Sequence, residues 1–109
     1  MTFNEYQELS IQTSKRSYGM PAIAYFSLGL AGEAGEVAEK IKKLFRDDAG
    51  GLTAERREAI VKELGDVLWY LSAVAYELNT NLEDVAIKNR EKLVDRMARG
   101  VRQGDGDNR

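Results

Sequence analysis

The chain has 109 residues, 43% apolar and 31% charged, with 16 Lys and Arg against 18 Asp and Glu for a formal net charge of −2. That describes one globular domain and excludes a nucleic-acid binder working by bulk electrostatics. Neither cysteine nor histidine is present, which excludes disulfides, thiolate zinc and iron–sulfur sites and removes the commonest metal ligand and acid–base group.

Chemistry is therefore left to carboxylates, Lys, Arg, Tyr and hydroxyls. No signal peptide and no run of 18 apolar residues is found, so the expectation is a cytoplasmic protein with no membrane partner.

Strand-like alternation is absent and Pro21 is the only proline, so the fold class expected is all-α, a four-helix-bundle-type domain. The first helix opens on Thr2-Phe3-Asn4-Glu5, a capping box, and runs to about Ser17. Its apolar pattern is weak. The second runs from Ala22 to about Phe45, with Leu30, Ala34, Val37, Ile41 and Leu44 at a period of 3.6. Gly29, Gly32 and Gly35 lie inside it. Gly35 and Gly65 are expected where backbones approach closely, and Gly29 and Gly32 where a ligand needs room. The third helix is capped by Thr53 and runs to about Leu78 on a stripe containing Ile60, Leu64, Val67, Leu71 and Val74. Thr80 and Glu83 form a second capping box that opens the fourth, ending near Gly100. Residues 1–99 form the domain, and 100–109 are a flexible glycine-rich tail.

Helices of about 24 residues span roughly 36 Å, so the second and third must lie side by side, antiparallel. The second half of the third helix adds Trp69, Tyr70, Ala73 and Tyr76 and is apolar nearly all round. Three other helices, one of them weakly amphipathic, can hardly cover it, which predicts a homodimer or a dimer of dimers. Trp69, opposite the main stripe, is the expected interface anchor.

The phrase EAGEVA at 33–38 returns as ELGDVL at 63–68. At about 100° per residue, Glu33 and Glu36 stand at about 300° and 240° from Leu30, and Glu63 and Asp66 at the same angles from Ile60. Each helix thus carries two carboxylates on the same flank of its apolar stripe, and antiparallel packing lets the flanks converge. Two such charges 5 Å apart at an effective dielectric near 20 repel by roughly 3 kcal/mol, so four together need a cation. Oxygen donors alone select hard ions, Mg²⁺ with Mn²⁺ as substitute, and less readily Ca²⁺. The alternative is four solvated acids beside a core stripe. Glu39 and Lys43, four apart, read as such a surface pair.

On the fourth helix Asn89 falls inside the apolar stripe, with Arg96 and Lys92 on its edge. Their cationic ends can either reach an acidic cleft, where beside a metal they imply a polyanion such as a phosphate chain, or run out to solvent. Tyr70, with Tyr25 or Phe26, is a candidate to stack a base, or else packs in the core.

The words LGLAGEAGEVAEKIKK, KELGDVLWYLSAVAYELN and LEDVAIKNREKL resemble the MazG-like nucleotide pyrophosphohydrolases, an all-α superfamily. Its E-x-x-E, spacer, E-x-x-D signature is matched by Glu33-x-x-Glu36, 26 intervening residues and Glu63-x-x-Asp66. The resemblance, over residues 18 to 97, implies Mg²⁺-dependent hydrolysis of a nucleoside triphosphate to monophosphate and pyrophosphate by an oligomer with its sites near subunit contacts. Glu33, Glu36, Glu63 and Asp66 then correspond to the metal ligands, Glu33 or Glu36 to the general base, and Asn89, Lys92 and Arg96 to phosphate-binding positions. The tail GDGDNR resembles that of a short subgroup and is expected to order over bound nucleotide. Two other readings keep the fold: a pyrophosphohydrolase of phosphoribosyl-ATP or a similar nucleotide, and a helical module binding nucleotide or metal without turnover.

Overall fold

A computed structural model describes residues 1–15, 18–101, 103–107 and 109. Its helices are α1 (Phe3–Gln12), α2 (Ala22–Asp48), α3 (Ala54–Glu77) and α4 (Leu82–Arg99), and no strand occurs among the described residues. No helix is long and apolar enough to cross a membrane.

The capping signals account for most of the boundaries. The Thr2 hydroxyl accepts the Glu5 N–H at 3.1 Å and the Thr53 hydroxyl accepts that of Arg56 at 3.1 Å, each satisfying an N–H that the first turn leaves unpaired. The fourth helix starts one residue later than its sequence suggests. Asn81, not Thr80, is the cap, with its side-chain oxygen accepting the Asp84 N–H at 2.8 Å. α1 closes at Gln12, and its expected end at Ser17 lies outside the described residues. The Thr13 and Ser14 hydroxyls donate back to the carbonyls of Ser10 and Ile11, offering the backbone an alternative to another helical turn. α2 runs three residues past Phe45; Ala49 then turns left-handed and the Gly50 N–H reaches Leu44 O at 2.9 Å.

α2 and α3 form the antiparallel pair. Arg56 at the start of α3 bonds to Asp48 at the end of α2, and at the other end Phe26 packs edge-on against Trp69, ring centroids 5.8 Å apart. α1 docks on the C-terminal half of α3 through a polar seam, which explains its weak apolar pattern. The Gln7 amide donates to Ser72 O and Thr80 O and accepts the Leu82 N–H, while the hydroxyls of Ser10 and fully buried Ser72 share a 2.8 Å bond. One glutamine thus ties α1 to the α3–α4 turn; a buried amide left unpaired costs about 1–3 kcal/mol.

Among the described residues the backbones of α1 and α4 nowhere come within 8 Å of that of α2. The bundle is therefore open within one chain. Its radius of gyration is 16.8 Å, against about 13 Å for a compact domain of 100 residues. Among the described residues Phe26, Leu44, Ala73, Ala75 and Leu82 are the buried apolar side chains, while Leu64 and Leu71 on α3, Leu78 just past its end, and Leu93, Val94 and Met97 on α4 are exposed. Asn89 is exposed as well, so the amide expected in an apolar stripe faces no core within this chain.

Candidate active site

Glu33 comes from the middle of α2 and Glu63 and Asp66 from the middle of α3. One carboxylate oxygen from each lies within 4.8 Å of the others. The shared offset from two apolar stripes accounts for this: Leu30 and Val37 on α2 and Ile60 and Val67 on α3 are all partly buried, and each acidic pair stands on the same flank of its stripe. Glu33 and Glu63 are partly buried and Asp66 is exposed. Glu36, one turn along α2, is exposed and stands outside this trio.

The cluster is electrostatically strained. The Glu33 carboxyl is pushed above the ordinary carboxylate range, first by burial, then by the charges of Asp66, Glu63 and Glu36 and a hydrogen bond to Glu63. Lys40, which sequence reasoning overlooked, answers part of this charge with its ammonium 3.5 Å from Glu63. The signal for it was its place one turn beyond Glu36. Glu39 pairs with Lys42 at 2.9 Å and more loosely with Lys43 at 4.0 Å, an exposed surface group as expected. Three oxygen donors so close, with one lysine beside them, fit a hard divalent cation.

Above the acids, Thr13, Trp69 and Tyr70 join Glu33 and Asp66 around a cavity of about 420 Å³. Trp69 lines this cavity and is hydrogen-bonded within it. Its indole N–H donates to the Thr13 hydroxyl at 2.8 Å, and its ring meets Tyr70 edge-on at 4.9 Å. Thr13 was also missed, since a polar residue closing a weak helix carries no periodic signal. Burial, then Tyr25 and Glu33, hold the Tyr70 hydroxyl above its usual range. A Cβ on Gly29 would stand 2.1 Å from Tyr70 Cε1, so this glycine is filled by the tyrosine ring rather than left open for a ligand. Among the described residues nothing lies within 4 Å of a Cβ added at Gly32, Gly35 or Gly65, so no backbone of these residues approaches closely at 35 or 65.

Among the described residues Lys92 and Arg96 of α4 pair with none of these acids. Lys92 and Arg96 both bond to Asp107 of the tail, and Asn89 faces solvent.

The profile of the MazG nucleotide pyrophosphohydrolase domain matches residues 24–100. The gene 37 protein of Mycobacterium phage L5 is 48% identical over 87 residues, covering 80% of this chain and 76% of its own length. No solved structure matches significantly. The matched segment holds α3, α4 and all but the first two residues of α2, with both acidic motifs, and on that match the chain belongs to the MazG nucleotide pyrophosphohydrolase domain family.

Proposed function

We propose that this protein hydrolyses nucleoside triphosphates, ribo or deoxy, to the monophosphate and pyrophosphate. The observation that carries the reading is the meeting of Glu33, Glu63 and Asp66, from two helices, within 4.8 Å. With Glu36 turning in from the next turn, they would hold Mg²⁺, or Mn²⁺ in its place. Bound there, the ion neutralises phosphate oxygens and makes a nearby water more acidic.

The chain's own groups do the rest. Water attacks the α-phosphorus, a new P–O bond forms, and the α–β anhydride bond breaks to release pyrophosphate. Glu33 or Glu36 accepts the proton of the attacking water; the partly buried Glu33, already proton-hungry among like charges, is the better placed. Lys92, Arg96 and Asn89 hold the departing pyrophosphate, and Tyr70 with Trp69 offers a face to the base. The test is pyrophosphate release from a panel of NTPs and dNTPs. Release with Mg²⁺ or Mn²⁺ and none in EDTA is expected; silence across the panel with both ions overturns the reading.

The same reading requires a homo-oligomer, a dimer or a dimer of dimers, that covers the apolar rows of α3 and α4. Light scattering is expected to give twice or four times the 12.2 kDa chain mass. Leu71→Glu, which places a charge in the α3 row, is expected to shift the species toward monomer. A parent protein that is monomeric at micromolar concentration rules the assembly out.

A further inference from the structure

The tail does something specific at the end of α4. Lys92 and Arg96, one turn apart, grip the same residue: the Lys92 ammonium lies 2.9 Å from Asp107 Oδ1, and the Arg96 guanidinium donates to Asp107 O at 2.6 Å and stands 3.7 Å from Oδ1. Gly100, Gly104 and Gly106 all take positive φ, which turns the chain back on the helix it has just left. The return is tied by the Arg109 guanidinium donating to Gly106 O and by Arg99 donating to Arg109 O.

The fit is incomplete in an informative way. Arg96 is only 6% exposed, and its Nε is buried with no hydrogen-bond partner among the described residues. A guanidinium offers a planar fork suited to two oxygens of one anion, and here the fork is half used. A phosphate group has enough oxygens to engage Lys92, Arg96 Nη2 and Arg96 Nε together, whereas Asp107 as placed meets Lys92 with Oδ1 and Arg96 Nη2 with its main-chain oxygen and leaves Nε unpaired. Asp107 itself is 81% exposed on glycine hinges, so releasing it disturbs little packing.

We propose that Asp107 is an internal stand-in for a phosphate of the substrate, so that the tail occupies the Lys92–Arg96 pair and must let go when a phosphate chain binds. This rests on the reading of those two cations as phosphate-holding groups. It makes the tail a competitor for the site in the free protein rather than a cover over bound nucleotide.

Titration with inorganic pyrophosphate in EDTA tests it with the full chain, without turnover or metal. An occupied site lowers apparent affinity by the fraction of chains that are open, and an exposed ion pair of this kind closes the site only partly. Asp107→Asn is therefore expected to tighten pyrophosphate binding about two- to fivefold. In the parent, the amide resonances of Gly104 and Gly106 are expected to move toward random-coil positions as pyrophosphate is added. Lys92→Ala is expected to weaken binding by about fivefold or more. If Lys92→Ala weakens binding but Asp107→Asn leaves it unchanged or weaker, the stand-in idea fails while the cation assignment survives. If Lys92→Ala changes nothing, the cation assignment fails and takes the proposal with it.

Discussion

Asp66→Asn is expected to lower pyrophosphate release by about 10²–10³-fold while raising the melting temperature in metal-free buffer. Both effects come from one arrangement. The three carboxylates lie within 4.8 Å, and Asp66 is the foremost of the charges that raise the Glu33 carboxyl. A carboxyl whose pKa is higher folded than unfolded takes up its proton preferentially in the folded state. Stability therefore falls as pH rises from the unfolded value through the raised folded one, and the repulsion persists at neutral pH. Removing the Asp66 charge relieves that repulsion and also removes a donor for the ion. On the proposed reading, a divalent cation bound among the three carboxylates would relieve it in the parent. A site of millimolar affinity at ten times its dissociation constant gains about 1.4 kcal/mol, or roughly 6–10 °C in a domain of this size. Thermal melts with and without 10 mM Mg²⁺ are expected to show that gain in the parent and little of it in Asp66→Asn. Glu36→Gln separates the two readouts. Turnover is expected to fall, yet the metal-free melting temperature is expected to rise less than in Asp66→Asn, because Glu36 stands outside the trio and comes last of the three charges acting on Glu33. Full activity in Asp66→Asn removes these acids from the reaction.

Much of this site was legible because helices convert spacing into direction. Matching offsets of Glu33 and Glu63 from two apolar stripes bring the carboxylates together once α2 and α3 pair, and length alone makes them pair. The wheel angle says which way a side chain leaves its helix, but not what stands there. Asn89 sits among apolar neighbours on α4 and is still exposed, and among the described residues no Cα of α4 comes within 8 Å of one in α2. The α1 seam was hidden for a different reason. Gln7, Ser10 and Ser72 dock by hydrogen bonds, and polar residues at a buried seam read as surface in any hydrophobic pattern. Gly29 illustrates the same gap: a glycine beside acids suggests room for a ligand, and only a neighbour on the other helix shows that Tyr70 has taken it.

That contact carries the second large effect. Gly29→Ala is expected to cost about 1–3 kcal/mol, a large share of the stability of a chain with so few buried apolar side chains. The added methyl would lie 2.1 Å from Cε1 of Tyr70 and 2.5 Å from its Cδ1 and Cζ. The ring cannot tilt away freely, because Trp69 meets it edge-on at 4.9 Å and Phe26 lies at 6.5 Å. Tyr70 must leave its rotamer or α2 must part from α3 beside Glu33. Either movement disturbs the wall of the acidic cavity, so turnover is expected to fall together with stability. The control is Gly32→Ala, three residues along the same helix with open space around it; there alanine is expected to stabilise, by up to about 1 kcal/mol of helix propensity. A double-mutant cycle assigns the clash. Tyr70→Leu opens space over residue 29, so adding Gly29→Ala to it is expected to cost much less than adding the same change to the parent. Equal costs in both backgrounds would mean that Tyr70 does not lie over Gly29 and that the glycine serves some other neighbour. Urea denaturation of the parent and the four variants measures all of these differences on one scale.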